Sequence, residues 1–348
     1  MAASWDRALA ARVGGGIGRD AHARGVHFML GPGVNIYRSP MNGRNFEYFG
    51  EVPFLSGQMA ANHITGMQAQ GVRATVKDYL GNNSEFLRHD SNTIVDERTA
   101  REIYLPQFEA AVKQGHVTAL MDSYDLINAQ HATENSHFNI DILRKEWGFT
   151  GIVMSDWDAT YDGVDAANGG MDVEEPSGKF MNTASLLPAI KAGKVSEATI
   201  DEKVRRVLLV AASYGWLDRD QKDAAIAYID PKNDSDALDS AREGVVLMKN
   251  EGKLLPLSKS STKTILVVGP NAYPGVPVAG GSAGVIPFQL TSGFQGISKL
   301  VGSATKVLYT AGLPSLSHIA NQTEFTTAAE NGKRGLTLET FDNEKLSG

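Results

Sequence analysis

The sequence predicts an α/β fold: a (β/α)8-type barrel whose N-terminal part is missing, followed by the first part of an α/β sandwich domain. Three observations predict it. Short apolar runs alternate with helical patterns over roughly the first two hundred residues, as in a parallel sheet with crossover helices. The apolar runs turn polar at their carboxyl ends, and a charged, turn-rich stretch then separates them from another buried run.

Length and composition exclude several classes of protein. At 348 residues the chain exceeds what one core usually organises, so two domains are expected. A formal net charge of -7 argues against nucleic acid or an anionic membrane surface as the main partner. Because the sequence has no cysteine, it offers no disulfide, thiol nucleophile or thiolate metal site. The longest apolar runs, such as 264–270, are far too short to span a bilayer.

The barrel prediction rests on apolar runs of strand length. Helical patterns at 54–70 and 97–115 lie between them, and the chain opens on an amphipathic helical pattern at 1–25. A closed barrel of this type needs eight strands. We therefore expect that the start of the domain is absent or that some strands are irregular. The predicted strands are 25–35, 72–80, 117–125, 151–157 and, less regular, 169–176.

The chain divides into four predicted segments. The barrel domain covers 1–217, and a charged stretch with the composition of a linker covers 218–236. Residues 237–330 give a helix, a turn and a buried strand, as at the start of an α/β sandwich. Residues 331–348 alternate like a strand and begin a further β module.

The carboxyl ends of the predicted strands carry polar side chains. Active sites of (β/α)8 barrels lie at that end, so four strands that turn polar there predict a polar pocket. Asp156 is prominent because a carboxylate is costly to bring out of water unless something uses or pairs it. It either does chemistry in the pocket or caps the helical pattern that follows at 158–170. The strand-end residues are Asn35, Arg38, Lys77, Asp78, Tyr124, Asp125, Asp156 and Trp157.

Five longer motifs occur in order along nearly the whole chain. They are "GPGVNIYRSPMNGRNFEYFGEVPFLSG", "VKDYLGNNSE", "DERTAREIYLPQFE", "EWGFTGIVMSDW" and "REGVVLMKNEGKLLPL". With these motifs the chain resembles glycoside hydrolase family 3, the β-glucosidase group. The segment 331–348 resembles the first strand of PA14, a carbohydrate-binding module that some members insert into their second domain.

The resemblance implies roles for individual residues. Asp156 matches the catalytic nucleophile of that family, and Trp157 would offer an apolar face to the sugar. Arg44 and Lys77 match positions that hydrogen-bond sugar hydroxyls. Tyr124 matches a tyrosine close to the nucleophile, where it could hold the carboxylate in place.

Simpler interpretations of these residues stay open. Arg44 could pair with Glu47, Lys77 could be a solvated strand end, and Tyr124 could belong to the core. The acidic pair at 174–175 is interpreted as solvated or helix-capping rather than catalytic.

The chain departs from the family pattern at four positions. Asp78 stands where the family has a histidine that donates to a sugar hydroxyl, so we place it among the substrate-binding residues. Val52 replaces an acid before a proline, and Asp122 and Asp125 replace neutral residues around Tyr124. The three added carboxylates put negative charge near the site, which is expected to weaken affinity for the sugar.

The resemblance implies a retaining glycoside hydrolase that releases terminal β-D-glucosyl residues through a covalent aspartyl intermediate. No glutamate of this sequence stands in the context of the family's general acid/base, which is expected beyond residue 348. The alternative is an inactive sugar-binding fragment or pseudoenzyme of the same family. A third hypothesis, an aldolase-type barrel with Lys77 as Schiff base, leaves Asp156 unused.

No cofactor is implied, and no metal, because His131 and His137 lack partners at ligand spacing. The expected partners are β-linked glucosides or oligosaccharides, with no nucleic acid and no membrane. Homo-oligomerisation is possible. The sequence does not distinguish a cytoplasmic from a periplasmic or secreted protein.

Overall fold

A computed structural model describes residues 1–277, 280–314 and 316–322. The chain divides into two compact units, Met1–Leu247 and Met248–Gly348. The segment 331–348, predicted to begin a PA14-like module, lies outside the described residues. None of the helices in the described part of the chain combines the length and apolarity that a membrane span requires.

The first unit alternates strands and helices as the sequence predicts. Its strands are β1 Phe28–Met29, β2 Arg73–Tyr79, β3 Asn92–Thr93, β4 Ala119–Asp122, β5 Leu126–Ile127, β6 Gln130–His131 and β7 Ile152–Met154. Its helices are α1 Arg7–Ala23, α2 Pro53–Gln68, α3 Glu97–Thr99, α4 Pro106–Lys113, α5 Gly163–Gly169, α6 Thr183–Lys191, α7 Glu197–Ser213 and α8 Pro231–Gly244. The unit also contains two π-helical segments, Ala100–Tyr104 and His137–Glu146, and short 3-10 helices.

The main sheet of this unit is parallel, with strand order β1-β2-β4-β7. Thr75 aligns with Ala119, and Leu120 aligns with Val153. Met154 bridges Val173 in the same parallel sense, so the fifth predicted strand contributes a single bridge. Because all these strands run the same way, their carboxyl ends meet at one edge of the sheet.

Helices cover the sheet and bury its apolar side chains. The strand residues pack against α2, α4 and the second π-helix, where burial of each large apolar side chain contributes about 1.5–3 kcal/mol. This core includes Val76, Leu120, Val153, Ile64, Phe108 and Ile142, all without solvent exposure.

Helices α1 and α2 pack at backbone distance. A Cβ atom at Gly14 would overlap the carbonyl oxygen of His63, and a Cβ atom at Gly66 would overlap that of Ala11. Only glycine allows two helices to approach this closely at both points.

The predicted linker, 218–236, makes contacts with the first unit. Gln221 is buried, and its Nε2 donates to the carbonyl oxygens of Val26 (3.0 Å) and Gly71 (2.9 Å). Helix α8 begins at Pro231 within the same stretch and is tied to α1 by Arg19, which donates to Asp230 at 2.6 Å. These contacts hold 218–236 in the first unit, which extends to Leu247.

Helix α2 begins without a capping side chain. Val52 occupies the N-cap position, is 49% exposed and offers no acceptor to the free N–H groups of the first turn. We expect Val52→Asp to raise the free energy of unfolding by about 0.5–2 kcal/mol, because its carboxylate can accept from those groups. Urea unfolding followed by tryptophan fluorescence would measure the change. Val52→Ala adds no acceptor and is the control; equal stability of the two variants would contradict the capping explanation.

The second unit contains a parallel pair of strands, β8 Thr264–Val268 and β9 Lys306–Thr310, with Leu266 opposite Leu308. Helix α9 Gly293–Val301 connects them, and α10 Leu316–Gln322 follows. This strand–helix–strand order agrees with the predicted start of an α/β sandwich.

Candidate active site

The edge formed by the carboxyl ends of β2, β4 and β7 brings together most of the predicted site residues. Lys77 and Asp78 lie near the carboxyl end of strand β2, and Tyr124 follows β4 by two residues. Asp156 follows β7 by two residues, and β4 lies between β2 and β7 in the sheet.

Asp156 is held by one of its oxygens. Its Oδ1 accepts from the Tyr124 hydroxyl at 2.9 Å and from the Trp157 backbone N–H at 2.7 Å. Among the described residues, Oδ2 accepts no hydrogen bond, although the residue is only 9% exposed. Helix α5 is capped by Asp162 instead, which excludes the interpretation that Asp156 caps it.

Tyr124 is a hydrogen-bond donor to the carboxylate. Burial and the negative charge of Asp156 raise the pKa of its hydroxyl, so the phenol keeps its proton at neutral pH. The Arg88 guanidinium lies over its ring, 3.6 Å from the centroid. The Tyr161 hydroxyl donates to the Tyr124 carbonyl oxygen at 3.1 Å. The residue is therefore both buried and in contact with the predicted nucleophile.

Arg44 and Lys77 both contact Glu47. Arg44 binds it through Nε at 3.0 Å and Nη2 at 2.8 Å, while Lys77 Nζ lies 3.3 Å from its Oε2. Burial opposes ionisation of Glu47, but these two cations outweigh it and lower its pKa. The Arg44–Glu47 pair left open by the sequence is thus present.

Asp78 lies beneath this ion-pair cluster. Its side chain has no solvent exposure, and its Oδ1 accepts from Arg44 Nη1 at 3.3 Å. Burial raises the pKa of Asp78, Arg44 partly offsets this, and the charge of Asp156 adds to it. In this arrangement Asp78 holds Arg44, and its contact with a sugar stays a prediction.

Sequence reasoning missed Glu85 and Arg88 in the loop after β2. Glu85 accepts from Arg88 Nη1 at 2.8 Å and from Asn82 Nδ2 at 2.9 Å, and its Oε1 lies 3.6 Å from Arg44 Nη1. The motif "NNSE" contains Glu85, but a loop without periodicity gives no sign of where its side chains point.

Three other residues considered from the sequence bind partners other than Asp156 and Glu47. Glu174 accepts from the backbone N–H groups of Phe180 and Met181 ahead of α6. His137 contacts Glu97 at 2.9 Å, and His131 stacks on the Tyr161 ring.

Two family profiles match the sequence. The profile described as "Glycosyl hydrolase family 3 N terminal domain" matches residues 1–210. The one described as "Glycosyl hydrolase family 3 C-terminal domain" matches residues 245–346. The second match runs across most of 331–348, for which a PA14-like module stays a prediction.

Relatives are similar over most of this chain. A "Beta-glucosidase" of Rhizobium radiobacter is 39% identical over 312 residues, 90% of this chain and 38% of that protein. A "Thermostable beta-glucosidase B" of Acetivibrio thermocellus is 38% identical over 90% of this chain and 40% of that protein. The chain thus spans about two fifths of the length of these curated relatives.

Solved structures share the fold. Beta-glucosidase 3B from Thermotoga neapolitana in complex with glucose superposes with a TM-score of 0.80 and 35% identity, over 88% of this chain and 43% of that chain. Beta-glucosidase from Kluyveromyces marxianus, also in complex with glucose, gives 0.82 and 33% over 90% and 38%. These similarities confirm the predicted fold class, a (β/α)8-type barrel followed by an α/β sandwich domain.

Proposed function

Because the chain belongs to glycosyl hydrolase family 3, we propose that it acts as a retaining glycosidase on terminal β-D-glucosyl residues, with Asp156 as nucleophile. The observation that carries the proposal is the carboxylate of Asp156, held through Oδ1 with Oδ2 left without a hydrogen bond among the described residues. Similarity to beta-glucosidases, two of them in complex with glucose, supports glucosides as the substrate class.

The first chemical step is a displacement at the anomeric carbon. Oδ2 of Asp156 forms a bond to that carbon while the bond to the leaving-group oxygen breaks. The departing oxygen takes a proton from a general acid or, with a good leaving group, departs as an anion. Oδ1 becomes the carbonyl oxygen of the ester and can keep both of its donors, Tyr124 and the Trp157 N–H.

The second step reverses the first. Water attacks the anomeric carbon and gives up a proton to a general base or to solvent, while the ester bond breaks and its electron pair returns to the Asp156 carboxylate. The two donors on Oδ1 stabilise the returning charge, which favours this departure. Two inversions give net retention of configuration.

Lys77 is the better placed of the two predicted sugar donors. Among the described residues its ammonium group makes one ion pair, to Glu47, which leaves two N–H groups for sugar hydroxyls. Arg44 is held by Glu47 and Asp78, so we assign it to fixing the shape of the pocket as well as to binding. Trp157, 42% exposed beside Asp156, offers an apolar ring for the sugar face.

The direct test is turnover of 2,4-dinitrophenyl β-D-glucoside by the 348-residue chain. This leaving group departs without a proton, so the assay depends on the nucleophile and not on the general acid. Release of dinitrophenol, with retention seen in the first glucose product by NMR, would support the proposal. Binding of glucose without turnover would favour the alternative of an inactive sugar-binding protein, and neither binding nor turnover would contradict both.

Tyr124→Phe removes one donor from Oδ1 and leaves the ring in place. A hydrogen bond to a charged group is worth about 1.5–3 kcal/mol, so we expect kcat to fall by about 10- to 100-fold. Steady-state kinetics would show the loss in kcat with little change in KM. Tyr309→Phe is the control, because the Tyr309 hydroxyl lies in the second unit and donates to the Tyr273 carbonyl oxygen. An unchanged kcat for Tyr124→Phe would contradict a role of this bond in the reaction.

A further inference from the structure

Three wholly buried carboxyl groups lie at the carboxyl ends of the adjacent strands β2 and β4. They are Asp78, Asp122 and Asp125. Asp78 and Asp122 each have one oxygen with a hydrogen bond, from Arg44 and from Asn139 respectively. For Asp125, neither Oδ1 nor Oδ2 has a hydrogen-bond partner within the described part of the chain. Asp125 is thus the least compensated of the three.

The charged groups that face Asp125 offer little compensation. Glu85 and Asp78, from the β2 end and its following loop, add negative charge. Arg88, from the same loop, is a cation that acts on it, but it already binds Glu85 at 2.8 Å. The Tyr161 hydroxyl, from the loop after β7, also faces Asp125. Burial, and then the charge that Asp125 carries when ionised, raise the pKa of this hydroxyl, so it is a neutral phenol.

Asp125 is coupled to the nucleophile through its neighbour in sequence. Its own carbonyl oxygen accepts from the Ala132 N–H at 3.0 Å, and the Tyr124 carbonyl accepts from Tyr161. These bonds fix the backbone that places the Tyr124 hydroxyl on Asp156. An ionised Asp125 carboxylate would need contact with water, and the backbone at this strand end would have to move to provide it.

We propose that Asp125 is a positioning residue that must remain a neutral carboxylic acid, and that its ionisation disrupts the strand end that holds Tyr124 against Asp156. The stability part of this proposal stands by itself; the effect on activity rests on the proposed function.

The direction of the pH dependence follows from linkage. Burial and then the charge of Glu85 raise the pKa of Asp125 to about 8, against 3.8 for the ordinary group. Between these values the folded chain keeps a proton that the unfolded chain has lost. Stability therefore falls as pH rises through this window, and the unfolding equilibrium constant rises about tenfold per pH unit from this group alone.

Asp125→Asn tests the proposal, since asparagine has the same shape and does not ionise. Urea unfolding of the full chain would be followed by fluorescence between pH 5 and pH 8, because all four tryptophans lie in the first unit. We expect the slope of log K for unfolding against pH to be lower by about one than in the unsubstituted chain. Asp201→Asn removes an exposed carboxylate from α7 and should leave the slope unchanged.

Equal slopes for Asp125→Asn and the unsubstituted chain would overturn the proposal. If Asp125→Asn does not fold, Asp125→Ser, smaller and equally uncharged, is measured in the same way with the same two outcomes. In the activity arm, the alkaline limb of kcat/KM for dinitrophenyl glucoside should move up by at least one pH unit in Asp125→Asn. A lower slope without activity in any form of the chain would count against the proposed function and not against the role of Asp125 in folding.

Discussion

Asp156→Asn should lower the turnover of dinitrophenyl β-D-glucoside by about ten-thousand-fold or more, the scale on which loss of a catalytic nucleophile acts. The amide keeps the size of the side chain and can still accept the bonds from Tyr124 and the Trp157 N–H. It provides no anionic oxygen to attack the anomeric carbon. Unchanged fluorescence and unfolding would show that the loss lies in the chemistry.

Two controls make this result specific. Asp158→Asn removes an exposed carboxylate two residues away, at a positive φ of 58° that asparagine tolerates, and should keep activity. Azide added to Asp156→Ala should restore turnover and give the α-configured glucosyl azide, because a single attack from the emptied side inverts the centre once.

Chemical labelling gives an independent assignment of the nucleophile. A 2-deoxy-2-fluoro-glucosyl fluoride should form a stable adduct on Asp156, since the fluorine at C2 slows both steps while the good leaving group keeps formation of the intermediate faster than its breakdown. Peptide mapping would locate the adduct. An adduct on Asp172 or Glu174 would falsify the assignment.

Asp172→Ala should lower the free energy of unfolding of the first unit by about 3–5 kcal/mol, the usual cost of leaving buried charges without their partner. Asp172 lies behind the sheet edge and makes no contact with Asp156. Its Oδ2 accepts from Arg144 at 2.6 Å and from the Val153 N–H at 2.8 Å, and its Oδ1 accepts from Arg206 at 2.9 Å. The alanine variant leaves the buried Arg144 guanidinium without its carboxylate and removes one of the two carboxylates that Arg206 contacts.

Urea unfolding followed by tryptophan fluorescence would measure this loss, with Asp201→Asn as the exposed control. A double-mutant cycle with Arg206→Met separates the pair from its surroundings, because Arg206 also contacts Glu202 at 3.1 Å. We expect a coupling of at least about 1 kcal/mol between the two positions. A loss below 1 kcal/mol for Asp172→Ala would show that water reaches the site and replaces the carboxylate.

The strands were predictable because strands buried on both faces read as continuous apolar runs. The runs at 72–80, 117–125 and 151–157 contain β2, β4 and β7. The lengths of the strands were less predictable. Only Phe28–Met29 of the predicted strand 25–35 forms β1, since strand pairing depends on the register with β2. The helical pattern at 97–115 contains a π-helical segment before Pro106, which has no N–H for a regular helical bond.

The site was predictable to the extent that strand ends define it. Parallel strands place Lys77, Tyr124 and Asp156 at one edge whatever the loops do. The contacts of Glu85 and the lack of partners for Asp125 depend on loop conformation and burial, which single-sequence patterns do not report. For the same reason the sequence offered two separate interpretations of Arg44, binding to the sugar or pairing with Glu47, and did not indicate that one side chain could do both.

The close approach of α1 and α2 has a consequence for the evolution and engineering of this chain. Gly14 and Gly66 each face a carbonyl oxygen of the opposite helix, so any side chain there must push the two helix backbones apart. In a library of random substitutions selected for folded protein, changes at these two positions should therefore be as rare as changes at buried apolar residues. Neighbouring Gly15, whose added Cβ would meet only ordinary van der Waals contacts, should accept alanine, and with it a gain in helix propensity.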